Sequence, residues 1–413
     1  TDSGASTLLE TSAAGRFGLK IKALLHEQWV VTLALSPLSL LLFHQVSLVG
    51  LLANLVAIPW VTLVVTPLAM VGVAWAPLWL AAASAVHVMA QVLQWLAAWP
   101  LASVSMPAAP LWMGMAAVAG GLLLAMRLPL PMRGMGLVLM LPVLLWQPAR
   151  SAPGRFDLLA ADVGQGSAVL VRTASHALLY DAGPRLSRES DAGQRVLVPL
   201  LRAQGERLDL LLLSHRDSDH TGGTAAVLAT QPQAHVLGSQ DPDALLDRHG
   251  YTRCQAGQHW EWDGVVFELL HPKPGDYEAA QSTNARSCVL RITDTSGQAA
   301  VLTGDIEQRQ EARLVAEGAL APATVLLLPH HGSKGASSAA MLDTVRPRIA
   351  LVQAGYRNRF GHPDPAVLER LDARGIRVAD SIHCGAARWR SEQPDAVVCE
   401  RSQERNYWQH VPP

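Results

Sequence analysis

The chain has 413 residues, half of them hydrophobic and only 16% charged, with a net charge of −1. That composition excludes a disordered chain and one that binds nucleic acid through bulk charge. No residue between Glu27 and Arg127 is charged, which excludes a single soluble domain and predicts a membrane half (1–150) followed by a soluble half (151–413).

The chain begins at Thr1 with no signal-like start, so it reads as a fragment lacking an N-terminal part. A bilayer core of about 30 Å asks for roughly 20 apolar residues per helix. Turn-like points cut the first half into about five spans, near 28–48, 50–76, 78–97, 111–126 and 134–148. The breaks are rich in proline, at Pro100, Pro107, Pro110 and Pro129 to Pro131. Eight of the 12 tryptophans lie in this half, several near span ends, as an interfacial belt would have them. The stretch from Gly15 to Gln28, with Arg16, Lys20 and Lys22, reads as the basic flank of the first span. His44, Asn54 and His87 sit at membrane depth, where a pathway lining and a helix–helix hydrogen bond are both open readings.

From Phe156 the pattern changes to short apolar strands: 156–161, 168–172, 177–180, 208–213, 265–270, 288–292, 299–302, 325–328 and 349–352. Helices fit 195–203, a stretch from Thr224, 308–317, 338–345 and 365–374. Hairpins mixed with interspersed helices predict an α/β fold of layered sheets.

The strongest chemistry follows the strand 208–213, in Ser214-His215-Arg216-Asp217-Ser218-Asp219-His220-Thr221-Gly222-Gly223. No single helix or strand face presents all of His215, Asp217, Asp219 and His220. A loop can wrap them around two adjacent cations, and the glycines let it turn away. Thr303-Gly304-Asp305 ends another strand in a lone carboxylate suited to bridging, and Pro329-His330-His331-Gly332-Ser333 ends a third in paired histidines. Tyr356-Arg357-Asn358-Arg359-Phe360-Gly361-His362 follows a fourth strand. It offers Arg357 and Arg359 for phosphates, two aromatics for stacking, and His362 to protonate a leaving oxygen. Asp219 is placed to accept a proton from a water.

These motifs, with Asp162-Val163-Gly164-Gln165-Gly166 and Tyr180-Asp181-Ala182-Gly183, resemble the metallo-β-lactamase fold. Asp217 and the spacing around it, together with Asn54-Leu55-Val56-Ala57-Ile58-Pro59, resemble the ComEC family of DNA-uptake channel proteins of competent bacteria. The resemblance implies a polytopic helical membrane region followed by an αββα sandwich, in the inner membrane, with two divalent metal ions, manganese or zinc. It implies passage of single-stranded DNA through the bilayer, cleavage of the strand not taken up, and other competence proteins as partners. By position, His215 and Asp217 would hold one metal and Asp219 and His220 the other. Asp305 would bridge, His330 or His331 would complete the second site with the other as its supporting partner, and Asp181 would support the loop. The fold's third-motif histidine is missing; Asn284 or Ser287 would stand in its place. An enzyme of the same fold acting on a small ester or lactam, and a non-catalytic docking module, are the competing functions.

With five spans, the distribution of Arg16, Lys20, Lys22, Arg127 and Arg133 puts the soluble half outside the cytoplasm. Disulfides are allowed there, and Cys384 and Cys399, flanking a predicted hairpin, are expected to pair. The oxygen-rich ligand set predicts that Mn²⁺ serves at least as well as Zn²⁺.

Overall fold

The computed structural model describes residues 13–99, 102–278 and 282–403, the side chains of 13–21, 23 and 24 excepted. The side chains of the basic flank at Arg16 and Lys20, and the break at Pro100, lie outside what is described, while the backbone from Ala13 is helical. The chain forms two compact units that divide at Pro148/Ala149.

In the first unit, three helices are long and apolar enough to cross a bilayer: Leu25–Phe43, Gly50–Gly72 and Pro77–Ala97. The two others, Leu111–Ala125 and Leu130–Leu145, are shorter, at 15 and 16 residues. At 1.5 Å per residue they fall short of a hydrocarbon core of about 30 Å, so the five expected spans reduce to three long ones and two short ones. Prolines set the shortness, since Pro110 and Pro129 cap the two helices. The first span stops at Phe43, not near 48. His44 turns into the left-handed region (φ 55°), and Gln45–Ser47 pairs antiparallel with Ser103–Ser105. His87 bonds Gln91 one turn on, so its partner is on its own helix rather than across an interface. Helices Leu111–Ala125 and Leu130–Leu145 touch backbone to backbone. A Cβ on Gly120 would lie 2.4 Å from the Gly136 carbonyl, and one on Gly136 2.5 Å from that of Gly120. Gly114 packs against the Leu41 side chain of the first helix, and Gly121 against its Pro37 ring and Leu33 carbonyl. Such contacts are how helices associate where the solvent is itself apolar.

The second unit is four layers deep. One sheet has eight strands, in spatial order Thr252–Arg253, His235–Gly238, Leu210–Leu213, Ala177–Tyr180, Val169–Arg172, Asp157–Ala160, Ala387–Arg390 and Val397–Cys399. The other has seven: His259–Trp262, Val265–His271, Val289–Thr293, Ala299–Leu302, Val325–Leu327, Ile349–Val352 and Arg377–Asp380. Leu158, Val169, Leu178 and Leu212 point from the first sheet into a shared core with Phe267, Leu290, Leu302 and Leu351 of the second. Their alternate neighbours Leu159, Leu170, Leu179 and Leu213 pack against an outer helical layer that includes 224–230. Val301, Leu326 and Ala350 do the same with helices 308–316, 339–345 and 365–372. Strands buried on both faces explain why the sequence shows continuous apolar runs there rather than alternation. This is an αββα sandwich behind a helical membrane-type region.

Six strands of the second unit escape the sequence reading: those at 185–187, 190–191, 235–238, 252–253, 259–262 and 377–380, whereas the expected hairpin is present as 387–390 and 397–399. The six are two to four residues long, and most lie toward the sheet margins, where burial imposes little pattern. Cys384 and Cys399 are disulfide-bonded, with Cα atoms 4.5 Å apart at the ends of the hairpin. A second disulfide, Cys254–Cys288, was not foreseen. It ties the margin of the first sheet to the second sheet.

Candidate metal centre

Strands Ala177–Tyr180 and Leu210–Leu213 run parallel in one sheet. Strands 299–302, 325–327 and 349–352 run parallel in the other. Their carboxyl ends deliver Asp181, the Ser214–His220 segment, Asp305, His331 and Gln353 to one end of the sandwich. Asp217 precedes a single helical turn, Ser218–Thr221, so the segment is a loop closed by a turn of helix. Gly222 and Gly223 have ordinary negative φ. Their need for glycine is space, since a Cβ on Gly222 would lie 2.1 Å from the Arg185 nitrogen and one on Gly223 2.4 Å from the Ala182 carbonyl. Gly304 needs both, with φ 54° and a Cβ position 2.8 Å from that of Ser214.

Two overlapping groups form. His215, His220 and Asp305 bring ligand atoms within 4.8 Å of one another, and so do Asp219, His220 and His331. His220 Nε2 lies 3.2 Å from Asp305 Oδ1 and 4.0 Å from Asp219 Oδ2. His331 Nε2 lies 3.4 Å from Asp219 Oδ2 and 3.7 Å from Asp305 Oδ2. The two oxygens of Asp305 thus face different histidines.

Each imidazole is fixed through its other nitrogen. His331 Nδ1–H donates to the Gln353 carbonyl at 2.8 Å, and His220 Nδ1 lies 2.7 Å from the Asp181 carboxylate. Asp181 also accepts from the Ser214 N–H and Oγ–H. With its proton given to Asp181, the Ser214 oxygen accepts from His215 Nδ1 at 3.0 Å. The Nε2 atoms of His215, His220 and His331 are left buried with no hydrogen-bond partner among the described residues. A buried polar atom in that condition costs roughly 1–3 kcal/mol. Three of them converging beside two carboxylates fit divalent cation binding, with the supporting groups that such ligands require.

The electrostatics agree. Burial acts to lower the His220 pKa, but the Asp305 and Asp181 carboxylates outweigh it and hold the ring well above its ordinary value. Burial likewise pushes Asp305 up, and His220 and His331 overcome it to hold the carboxyl well below the usual range. Positive charge is favoured between these carboxylates. Asp217 is held at about 2 by the His215 ring, whose Nε2 lies 3.7 Å away, against burial, with help from Thr283. Burial tends to raise Asp219, and the His331 ring, with Nε2 3.4 Å away, brings it down instead.

The arrangement narrows or departs from the expected one in three places. His331, not His330, turns its ring to the centre: both residues have left-handed backbone (φ 56° and 53°), and the turn leaves His330 partly exposed, 3.8 Å from Asp305. Asp217 is 3.7 Å from His215 Nε2 but belongs to neither group, and its side chain is 44% exposed. Asn284 accepts from Thr283 within its own turn, whereas buried Ser287 accepts the Asp305 N–H and lies 3.3 Å from His215 Nδ1. His362 stacks on Phe360 and His331, and burial lowers its pKa, with the neighbouring His331 and His330 adding to the effect. Arg357 lies over the Tyr356 ring and Arg359 over Phe360, at 5.1 and 4.8 Å. Sequence reasoning missed Gln353, which positions His331 through its carbonyl. Its side chain also bonds Ser167 Oγ and the backbone of Ala161 and Ala168. A lone glutamine ending the apolar strand 349–352 was the available signal.

The four-layer sandwich with a His/Asp centre at the strands' carboxyl ends defines a metallo-β-lactamase-fold domain, a fold that binds divalent metal and suggests a hydrolase. Residues 161–356 match the metallo-beta-lactamase superfamily, and residues 6–131 match the Competence protein family. The chain is 35% identical over 389 residues, 93% of its length, to "Competence protein ComA" of Neisseria gonorrhoeae, of which it covers 54%. It is 30% identical over 267 residues, 59% of its length, to "ComE operon protein 3" of Bacillus subtilis, of which it covers 34%. The metallo-beta-lactamase fold protein YhfI of Bacillus subtilis aligns with 57% of this chain and 99% of its own, at 15% identity and a TM-score of 0.39. The chain thus carries a Competence protein domain followed by a metallo-β-lactamase domain, and it is similar to competence proteins over most of its length. It spans about half the length, or less, of these curated relatives.

Proposed function

We propose that this chain is part of a DNA-uptake protein of the bacterial inner membrane. Its first unit serves passage of a DNA strand, and its second cleaves phosphodiesters in the strand left behind. The observation that carries this reading is the convergence of three buried, unpartnered Nε2 atoms on Asp219 and Asp305. When bound, two divalent cations, manganese or zinc, held among His215, His220, Asp305, Asp219 and His331, would supply Lewis acidity toward a phosphodiester and a water. Asp305, with one oxygen toward His220 and the other toward His331, would serve both ions. His220 has a single free nitrogen and serves one side only. Asp217 and His330 stand at the rim, where they complete the ligand set. Asp219, ionised and 32% exposed, takes the proton from the attacking water. His362 delivers a proton to the leaving oxygen. Arg357 and Arg359, each beside an exposed aromatic ring, hold phosphate and base together. Asp181, Ser287 and Gln353 keep the imidazoles oriented, and Asn284 shapes the turn beside them.

The two disulfides support an oxidising compartment for the second unit, on the non-cytoplasmic side of the membrane. The test is cleavage of linear DNA by the full chain in detergent, stripped of metal and reloaded with Mn²⁺ or Zn²⁺ in turn. Asp305→Asn is expected to lose at least ~10²-fold, with the helices of the first unit intact. Mn²⁺ is expected to serve at least as well as Zn²⁺. Equal cleavage by wild type and Asp305→Asn would assign the activity elsewhere. A metal-loaded wild type that cleaves no DNA would leave a docking module or a small-ester hydrolase.

A further inference from the structure

Beside the metal centre, on the Asp217 side, a cleft of about 680 Å³ opens between the His/Asp loop, the loop after strand 235–238, and the turn 282–286. Its wall continues the centre itself. Arg216 and Thr221 belong to the ligand-bearing loop, and Thr283, which bonds Asp217, lies on the opposite side. Arg216 is exposed and makes no ion pair among the described residues. The lining also includes Leu245 and Leu246, with Asp241 paired to Arg253 and Asp243 capping the helix 244–248. Two residues lining the cleft carry a polar atom that is buried without a hydrogen-bond partner among the described residues: Thr224, only 7% exposed, its Oγ1, and Gln240 its Oε1. Neither belongs to the ligand set, and each is an orphan of the kind a protein keeps where a ligand completes it.

We propose that this cleft seats the nucleotide next to the cleaved phosphodiester, and that the nucleotide must be unpaired; the proposal rests on the phosphodiesterase reading above. A guanidinium on the ligand-bearing loop suits a flanking phosphate. A hydroxyl and an amide oxygen beside apolar side chains suit the polar edge and flat face of a nucleobase. In a duplex that edge is occupied by the complementary base, so only a single strand or a frayed end can supply it. Arg216 is then the phosphate contact, and Thr224 and Gln240 read the base.

The probe is fluorescein-labelled tetrathymidylate, titrated by fluorescence anisotropy against the full chain in detergent with chelator present, so that binding is read without cleavage. Arg216→Ala is expected to weaken binding about tenfold, as loss of a charge-assisted hydrogen bond does. Gln240→Ala and Thr224→Val are expected to weaken it severalfold each, and a blunt duplex hairpin of equal charge is expected to compete poorly. Circular dichroism identical to wild type certifies the fold. Wild type that fails to bind the probe, unchanged affinity in all three variants, or equal competition by the hairpin would overturn the assignment. Cleavage is read separately. Arg216-dependent binding without cleavage by the metal-loaded chain keeps the cleft and removes the nuclease. DNA cleavage with KM unaltered by Arg216→Ala keeps the nuclease and removes the cleft.

Discussion

The two units solve opposite packing problems with one set of forces. In the first, the large apolar side chains point outward, with Leu63, Val73 and Leu130 more than 70% exposed. The described contacts include no salt bridge, and helices meet through glycine at backbone distance. In the second, apolar side chains fill three stacked cores, and charge is buried in pairs: Arg172 bridges Asp157 and Glu206, all nearly inaccessible. The difference is the solvent. Where the surroundings are hydrocarbon, burying leucine gains little and close backbone approach decides association. In water, apolar burial drives the fold, and a buried charge must be paired.

The sharpest way to break the comparison is to unpair a charge in the second unit. Arg172→Met leaves Asp157 and Glu206 buried, with Arg150 still beside Glu206 but nothing in place of the guanidinium at 2.5 Å from Asp157. The expected loss is about 3–5 kcal/mol, read as a lower urea midpoint for the second unit. A loss under 1 kcal/mol would mean that the network is solvated. Next comes the cross-sheet disulfide. Replacing Cys254 and Cys288 by alanine opens a link across 34 residues and is expected to cost about 2–4 kcal/mol, again in the second unit alone. Strong reductant should reproduce that shift; an equal shift in the first unit's transition would show that the units do not unfold separately. In the first unit the counterpart is Gly136→Ala. Its methyl would sit 2.5 Å from the Gly120 carbonyl, and separating the two helices is expected to cost about 1–3 kcal/mol. Tryptophan emission from Trp112 and Trp146 reports it, and the proposed DNA cleavage by the second unit should not change.

The same contrast explains what could be read from the sequence. Charge depletion over residues 28–126 announces the first unit, because lipid excludes charge regardless of packing detail. It does not announce the glycine contacts, because which glycine faces which helix is set by tertiary rotation. In the second unit the doubly buried strands were legible as apolar runs, and the ligands as clustered histidine and aspartate after them. Which of His330 and His331 faces inward was not legible, since two consecutive left-handed residues decide it and neither histidine signals such a backbone. Ser214 and Gln353 orient the ligands by hydrogen bonds that cross between elements far apart in the chain. The Cys254–Cys288 pair was hidden for the same reason: it joins two sheets and no local hairpin points to it.

The smallest expected effect concerns pH and separates the units once more. Asp276, only 7% exposed in its side chain, receives two 2.6 Å hydrogen bonds from Arg313 and one from the Lys273 N–H, with buried His271 3.6 Å away. The Arg313 hydrogen bond, working against burial, holds its carboxyl at about 2. In the unfolded chain an aspartate titrates near 3.9. A carboxyl whose folded value is depressed stabilises the fold above its unfolded value, and the benefit fades as pH falls from about 4 through about 2. Arg313 is one-third exposed, so solvent screens the pair and its worth at neutral pH is about 1 kcal/mol. Asp217 and other paired carboxylates titrate in the same window, so the wild-type curve alone assigns nothing to Asp276. The difference between wild type and Asp276→Asn does. The two stability curves should lie about 1 kcal/mol apart at pH 7, converge below pH 3, and approach each other in high salt. A gap that stays constant down to pH 2 would mean that Asp276 acts through shape rather than charge. The first unit's transition should show no such pH-dependent gap, since no aspartate lies among its described residues.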